Sequence, residues 1–182
     1  KGYILVAISA ATYGMNPLFA LPLYYGGMDL FSVLFFRYLF AIPILAIMLK
    51  LRRRDFSIKR DDITPLLILG VLFAMSSITL FSSYNHMDAG VASMILFVYP
   101  IMVALIMFIF FKEKISKMTM TCIAVAMIGI ALLCKSGDGA MISMIGLLFV
   151  LGSALSYSIY IVYINKSRIK GMATIKVTMY VL

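Results

Sequence analysis

The chain has 182 residues, of which 64% are hydrophobic and only 13% charged, and its mean hydropathy is +1.08. A soluble domain of this size cannot bury so much apolar surface, so a soluble enzyme is excluded and a membrane protein is implied. The net charge of +9 sits in short stretches between apolar runs, which reads as a topology signal and not as a nucleic-acid surface.

A helix needs about 20 apolar residues to cross the hydrocarbon of a bilayer. Residues 2–28 form a first charge-free run. It is too long for the core of a cleavable signal peptide, and no small-residue cleavage site closes it. Because the chain opens at Lys1 and not at Met, a few N-terminal residues are expected to be missing. Within this run lies Tyr13-Gly14-Met15-Asn16-Pro17. Pro17 removes a backbone hydrogen bond, and Gly14 and Asn16 soften the same turn. Freed carbonyls at membrane depth are tolerated inside protein or beside a wet cavity. The stretch therefore reads either as a broken helix at a solute path or as a structural kink.

The second run, residues 30–49, carries one charge, Arg37. This residue lies about 10 Å from the outer rim by helical rise. It can snorkel outward, or it can face a cavity as a cation for a carboxylate. Pro43 is expected to interrupt this span. Asp61 and Asp62 follow in a basic loop and suit the start of the third helix, whose dipole they complement.

Residues 63–85 form the third run, with Ser76, Thr79, Ser83 and His86 at helical spacing on one face. That stripe can line a solute path, with His86 as a titratable group. It can equally consist of hydroxyls bonded back to the helix and an interfacial His. The fourth run, 89–111, is interrupted by Tyr99-Pro100. The fifth, 118–134, holds Cys122 and Cys134, 12 residues apart. Along one helix that is about 18 Å, too far for a disulfide, so both read as packing residues. In the sixth run, 139–165, Ser153, Tyr157 and Tyr160 share a face, and Tyr163 nears an interface. A seventh starts near Ala173. None of the runs alternates as barrel strands do.

The fold expected is thus an all-α, polytopic membrane bundle with six complete spans and the start of a seventh. Lysines and arginines sort by side. Lys1, then Lys50, Arg52, Arg53, Arg54, Lys59 and Arg60, then Lys112, Lys114 and Lys117, then Lys166, Arg168, Lys170 and Lys176 fall on one side, and Lys135 alone on the other. The bias places the N-terminus in the cytoplasm and leaves the acidic Asp29, Asp88 and Asp138 outside.

Residues 2–13 and 146–157 match at five of twelve positions: Gly2/Gly146, Val6/Val150, Ser9/Ser153, Ala10/Ala154 and Tyr13/Tyr157. Five spans lie within that offset, so the second copy starts from the opposite face. This is the plan of an inverted repeat, as in many secondary transporters. Two such units need roughly 290 residues, twice the 144-residue offset. The chain is therefore expected to be a fragment: a first five-helix repeat at 1–135 and a truncated second at 139–182.

Residues 86–133 resemble the fourth and fifth helices of the drug/metabolite transporter superfamily, EamA type. The likeness rests on the small residues Ala89, Gly90, Ala92 and Ser93, on mid-helix Pro100, on the turn at Glu113 and on Gly129. Residues 13–17 and 35–41 fit its first two helices, and the start of the sixth fits as well. Lys112 stands where that family usually has Gly, and Tyr13 takes the place of a common Trp. The resemblance implies ten helices in two repeats around a central cavity with alternating access.

The sequence holds no HExxH, GxSxG or Walker A motif, so no enzyme, metal or cofactor is expected. The leading functional expectation is a secondary transporter, an exporter of amino acids, related metabolites or organic cations, in a bacterial inner membrane. A nucleotide-sugar or phosphorylated-metabolite carrier would need several converging cations, and only Arg37 lies in a span. A membrane-embedded enzyme or a non-transporting subunit would need its key residues from outside this stretch. The expected partners are the lipid bilayer and a small solute, without nucleic acid; self-association as a homodimer is left open. Substrate-path candidates are Tyr13, Asn16, Arg37, Ser83, His86, Tyr99, Ser153, Tyr157 and Tyr160. Gating candidates are Gly14, Pro17, Pro43 and Pro100.

Overall fold

The computed structural model describes residues 12, 15, 22–23, 26–53, 55–113, 120–121, 123–125, 127–129 and 143–182. Tyr13, Gly14, Asn16, Pro17, Cys122 and Cys134 lie outside the described residues, as does nearly all of the first repeat copy. Among the described residues, four helical stretches are long and apolar enough to span a bilayer: Leu30–Leu51, Arg60–Ser83, Ala89–Phe111 and Met144–Lys166.

Helix α1 (Leu30–Leu51) follows a turn at Gly27, whose φ of 82° suits a residue without a Cβ. It ends where Lys50 meets the negative pole of the helix and Arg53 turns left-handed at φ 50°. Pro43 does not interrupt it. The helix runs on through the ring, because neighbouring backbone hydrogen bonds carry the chain past one missing donor. Helix α2 (Arg60–Ser83) opens with Asp61 and Asp62 in its first turn, where acids stabilise the positive pole.

The third described span is broken. Helix α3 (Ala89–Leu96) is capped by Asp88, whose Oδ1 accepts from the amides of Gly90 at 2.8 Å and Val91 at 3.2 Å. Helix α4 (Tyr99–Phe111) begins after a turn at Phe97-Val98, with Pro100 in its first turn. Pro100 has no N–H to continue the upstream ladder. Phe97 and Val98 instead donate three residues back, to Met94 and Ile95. Lys112 ends α4 in the left-handed region, φ 54° and ψ 26°. That conformation favours glycine, which explains why Gly suits this place in the resembling family.

Helix α5 (Met144–Lys166) runs antiparallel to α2 and packs on α2, α3 and α4. A 3₁₀ turn (Arg168–Gly171) leads to α6 (Thr174–Val181), which packs on α1 and α2. One apolar cluster joins Val33, Leu34, Leu80, Phe81, Met87, Ala92, Ile95, Leu96, Val150 and Ala154, and a second joins Leu66, Leu69, Ile169, Val177 and Val181. Elsewhere the surface is apolar: Phe31, Phe35, Phe40, Ile44 and Ile47 of α1 are all exposed. A face of this extent belongs in hydrocarbon.

The two ends of the bundle differ. At one, Lys166 pairs with Glu113, Lys176 donates to the Ser57 carbonyl and Tyr180 to the Phe56 carbonyl. At the other, Gly146 packs on His86 and Met87. The described basic segments around 50–60, 112 and 166–176 therefore share one end, as the charge pattern requires.

Candidate functional site

Polar side chains within the spans fall into two groups. The first is a seam of small hydroxyls between α2 and α5. Ser153 Oγ donates to the Ser76 carbonyl at 2.7 Å, Ser76 Oγ lies 3.2 Å from the Ser153 carbonyl, and the two hydroxyls are 3.0 Å apart. Both residues are buried. Ser83, fully buried, donates to the Leu80 carbonyl at 2.6 Å, and Thr79 bonds back to Met75 and Ser76. Such reciprocal bonds let helix backbones approach closely. The stripe from Ser76 to Ser83 is thus held by internal hydrogen bonds. His86, beyond its end, is exposed and stacks on Phe149 with centroids 5.8 Å apart.

The second group is aromatic. Tyr99, the first residue after the break in the third described span, meets the Tyr157 ring edge-on at 5.0 Å. Tyr157 stacks on Tyr160 at 5.7 Å and 15°. Tyr160 touches Phe73 of α2 at 5.7 Å, and Phe73 touches Tyr38 of α1 at 6.1 Å. The wall therefore crosses four helices near mid-depth, since Tyr99 lies roughly 15 Å and Tyr157 roughly 20 Å from the starts of their spans by helical rise.

Ser158 fixes the wall at its break, its hydroxyl placed 2.6 Å from the Ala154 carbonyl and 3.0 Å from the Tyr99 carbonyl. Among the described residues, the hydroxyls of Tyr99, Tyr157 and Tyr160 make no hydrogen bond. The Tyr38 hydroxyl is buried beside Ser77 yet makes no bond of proper geometry. A phenol inside a membrane protein needs a partner, and among the described residues these four hydroxyls have none.

Arg37 is exposed, with its guanidinium carbon 5.5 Å from the centroid of the buried Phe81 ring. Phe81 in turn touches Tyr84 at 5.2 Å, and Tyr84 Oη lies 3.3 Å from Ser93 Oγ. The structure thus brings together Tyr99, Tyr157 and Tyr160, whereas Ser83 and Ser153 are packing residues and His86 sits at a helix end. Pro100 stands at the break itself. Sequence reading missed Phe73, Tyr38 and Ser158. The i, i+5 step from Ser153 to Ser158 gave no face signal, and Phe73 looked like any apolar core residue. Among the described residues no group of His, Cys, Asp or Glu could hold a metal ion.

The description "EamA-like transporter family" belongs to a family model that matches residues 1–134. An uncharacterized transporter, YvbV, of Bacillus subtilis (strain 168) is 29% identical over 58% of this chain and 33% of its own length. An uncharacterized transporter of Clostridium kluyveri is 26% identical over 93% of this chain and 57% of its own length. The chain thus covers from one third to somewhat over half of these relatives. No solved structure matches. Apolar spanning helices, a proline-broken span and a family match over most of the residues agree: the chain belongs to the EamA-like transporter family and is a multi-pass integral membrane protein.

Proposed function

We propose that the protein is part of a secondary transporter that exports small organic metabolites, amino acids or organic cations among them, by alternating access. The observation that carries this reading is the tyrosine wall: three hydroxyls without a partner among the described residues, on touching rings at mid-depth, beside a helix break. Aromatic faces hold planar or cationic groups, and phenols supply adaptable hydrogen bonds. The sequence has no nucleotide-binding loop, so a gradient is the energy source.

The basic end faces the cytoplasm in this reading, as the charge bias favours, in a bacterial inner membrane, as the bacterial relatives favour. The architecture is a first five-helix repeat at 1–135 followed by the start of an inverted second from 139. Its support is that four of the five repeated positions, Gly146, Val150, Ser153 and Ala154, form the buried face of α5. A duplicated packing face explains the likeness better than chance between apolar runs. Binding must favour the inward-open and outward-open states unequally for transport to occur.

The test is counterflow in proteoliposomes holding the full-length protein, across a panel of amino acids and organic cations. Solute movement above that of empty vesicles is expected, with at least a tenfold drop for Tyr157→Phe. Absence of movement for every solute overturns the reading.

A further inference from the structure

We propose that the basic end of the bundle carries a binding site for zwitterionic amino acids, distinct from the tyrosine wall. A cavity of about 500 Å³ opens there. It is lined by Asp61 and Pro65 of α2, Phe111 of α4, Tyr163 and Lys166 of α5, and Ser167 and Arg168 of the following turn.

The charges of this cavity define its ligand. Lys166 Nζ is 2.6 Å from Glu113 Oε1 and 4.6 Å from the centroid of the Phe111 ring. Its charge is therefore already met by a carboxylate and an aromatic face. Neither Asp61 nor Arg168 makes a salt bridge among the described residues. What remains on the walls, with no ion pair among the described residues, is the carboxylate of Asp61 and the guanidinium of Arg168. An α-amino acid carries the complementary pair. Its carboxylate suits the planar fork of Arg168, and its ammonium suits Asp61. Phe111, Tyr163 and Pro65 offer an apolar shelf for a side chain.

The same arrangement selects against other charge types. A simple organic cation meets Arg168 without an anion to offer it. A phosphorylated metabolite meets Asp61 without a cation. Asp61, Lys166 and Arg168 are all solvent-exposed, and exposed ion pairs are individually weak. The site is therefore a low-affinity one, with a dissociation constant on the order of 1 mM. Its role as a loading site rests on the transport reading above; the binding itself does not.

The experiment measures binding of radiolabelled leucine to the full-length protein in nanodiscs, with isopentylamine and N-acetyl-leucine as competitors. Unlabelled leucine is expected to displace the label at least tenfold more effectively than either analogue, since each lacks one charge. Asp61→Asn and Arg168→Gln are each expected to weaken binding about fivefold or more. The competitor series needs no variant, so the outcome does not depend on how either substitution folds. Equal competition by isopentylamine, absence of saturable leucine binding, or unchanged binding in both variants overturns the proposal. Transport assayed in parallel separates the two ideas. Solute movement that is indifferent to Asp61 and Arg168 removes this site and leaves the transporter. Leucine binding that depends on them, with no solute movement, keeps the site and removes the transporter reading.

Discussion

The serine seam and the tyrosine wall share helices α2 and α5, yet they treat their hydroxyls in opposite ways. Ser76, Ser83, Ser153 and Ser158 each find a carbonyl or another hydroxyl within 3.2 Å. Tyr99, Tyr157 and Tyr160 touch through their rings, and their hydroxyls find no partner among the described residues. Small hydroxyls reach only their own backbone or a helix in close contact, so they fasten. A phenol projects its oxygen well beyond its own backbone, so its partner must come from another element, as Tyr180 finds at the Phe56 carbonyl. Polarity within a span therefore carries two meanings, and side-chain reach separates them.

The sharpest way to break this contrast is to overfill the seam. Ser153→Leu puts a large side chain where Ser76 and its carbonyl now sit, and it is expected to destabilise the bundle by about 3 kcal/mol, the upper end for overpacking. Detergent-unfolding curves read this directly, and a loss below about 1 kcal/mol contradicts a tight seam. The mirror experiment spares stability: Tyr157→Phe keeps the ring contacts, so its unfolding midpoint is expected to stay within about 0.5 kcal/mol while transport falls. A clear loss of stability would move Tyr157 into the structural group. Ser76→Ala removes one half of the clasp and is expected to cost about 0.6 kcal/mol, the usual value for a hydrogen bond between membrane helices.

Outside both regions, Lys112→Gly relieves the left-handed residue that ends α4. A gain of about 1 kcal/mol is expected, and any loss shows that the lysine side chain has a role of its own. The smallest effect belongs to the exposed pair Glu113–Lys166. Glu113→Gln is expected to lower stability by about 0.5 kcal/mol in dilute buffer and by less in high salt, where exposed charges are screened. A loss insensitive to salt indicates that the pair is not electrostatic in origin.

Much of this arrangement was readable in advance because bilayers restrict what a chain can do. The lengths of the runs at 30–49, 63–85, 89–111 and 139–165 correspond to the described helices to within a few residues at most ends, since charge marks where hydrocarbon stops. Pro100 was legible as a break, but Pro43 was not legible as a continuous turn, because the ring alone does not say whether the surrounding ladder survives. The spacing of Ser76, Thr79 and Ser83 placed them on one face correctly. Whether that face meets water or another helix depends on where α5 lies, and no local pattern encodes that. Tyr157 and Tyr160 were legible as a pair by their three-residue step. Tyr99 joins them only because the break and Ser158 bring α4 alongside, and Phe73 and Tyr38 extend the wall by tertiary contact alone.

The packing of α5 on α2, α3 and α4 also bears on how the protein is made. Residues 144–166 leave the ribosome after α1 to α4, yet α2 presents Ser76 and an apolar surface to them, and the turn after α2 presents Met87, on which Gly146 packs. Until that late helix enters the bilayer, α2, α3 and α4 lack a neighbour on which each of them packs. Closure of this part of the bundle therefore waits on a helix made after the three it joins, so insertion order and packing order differ.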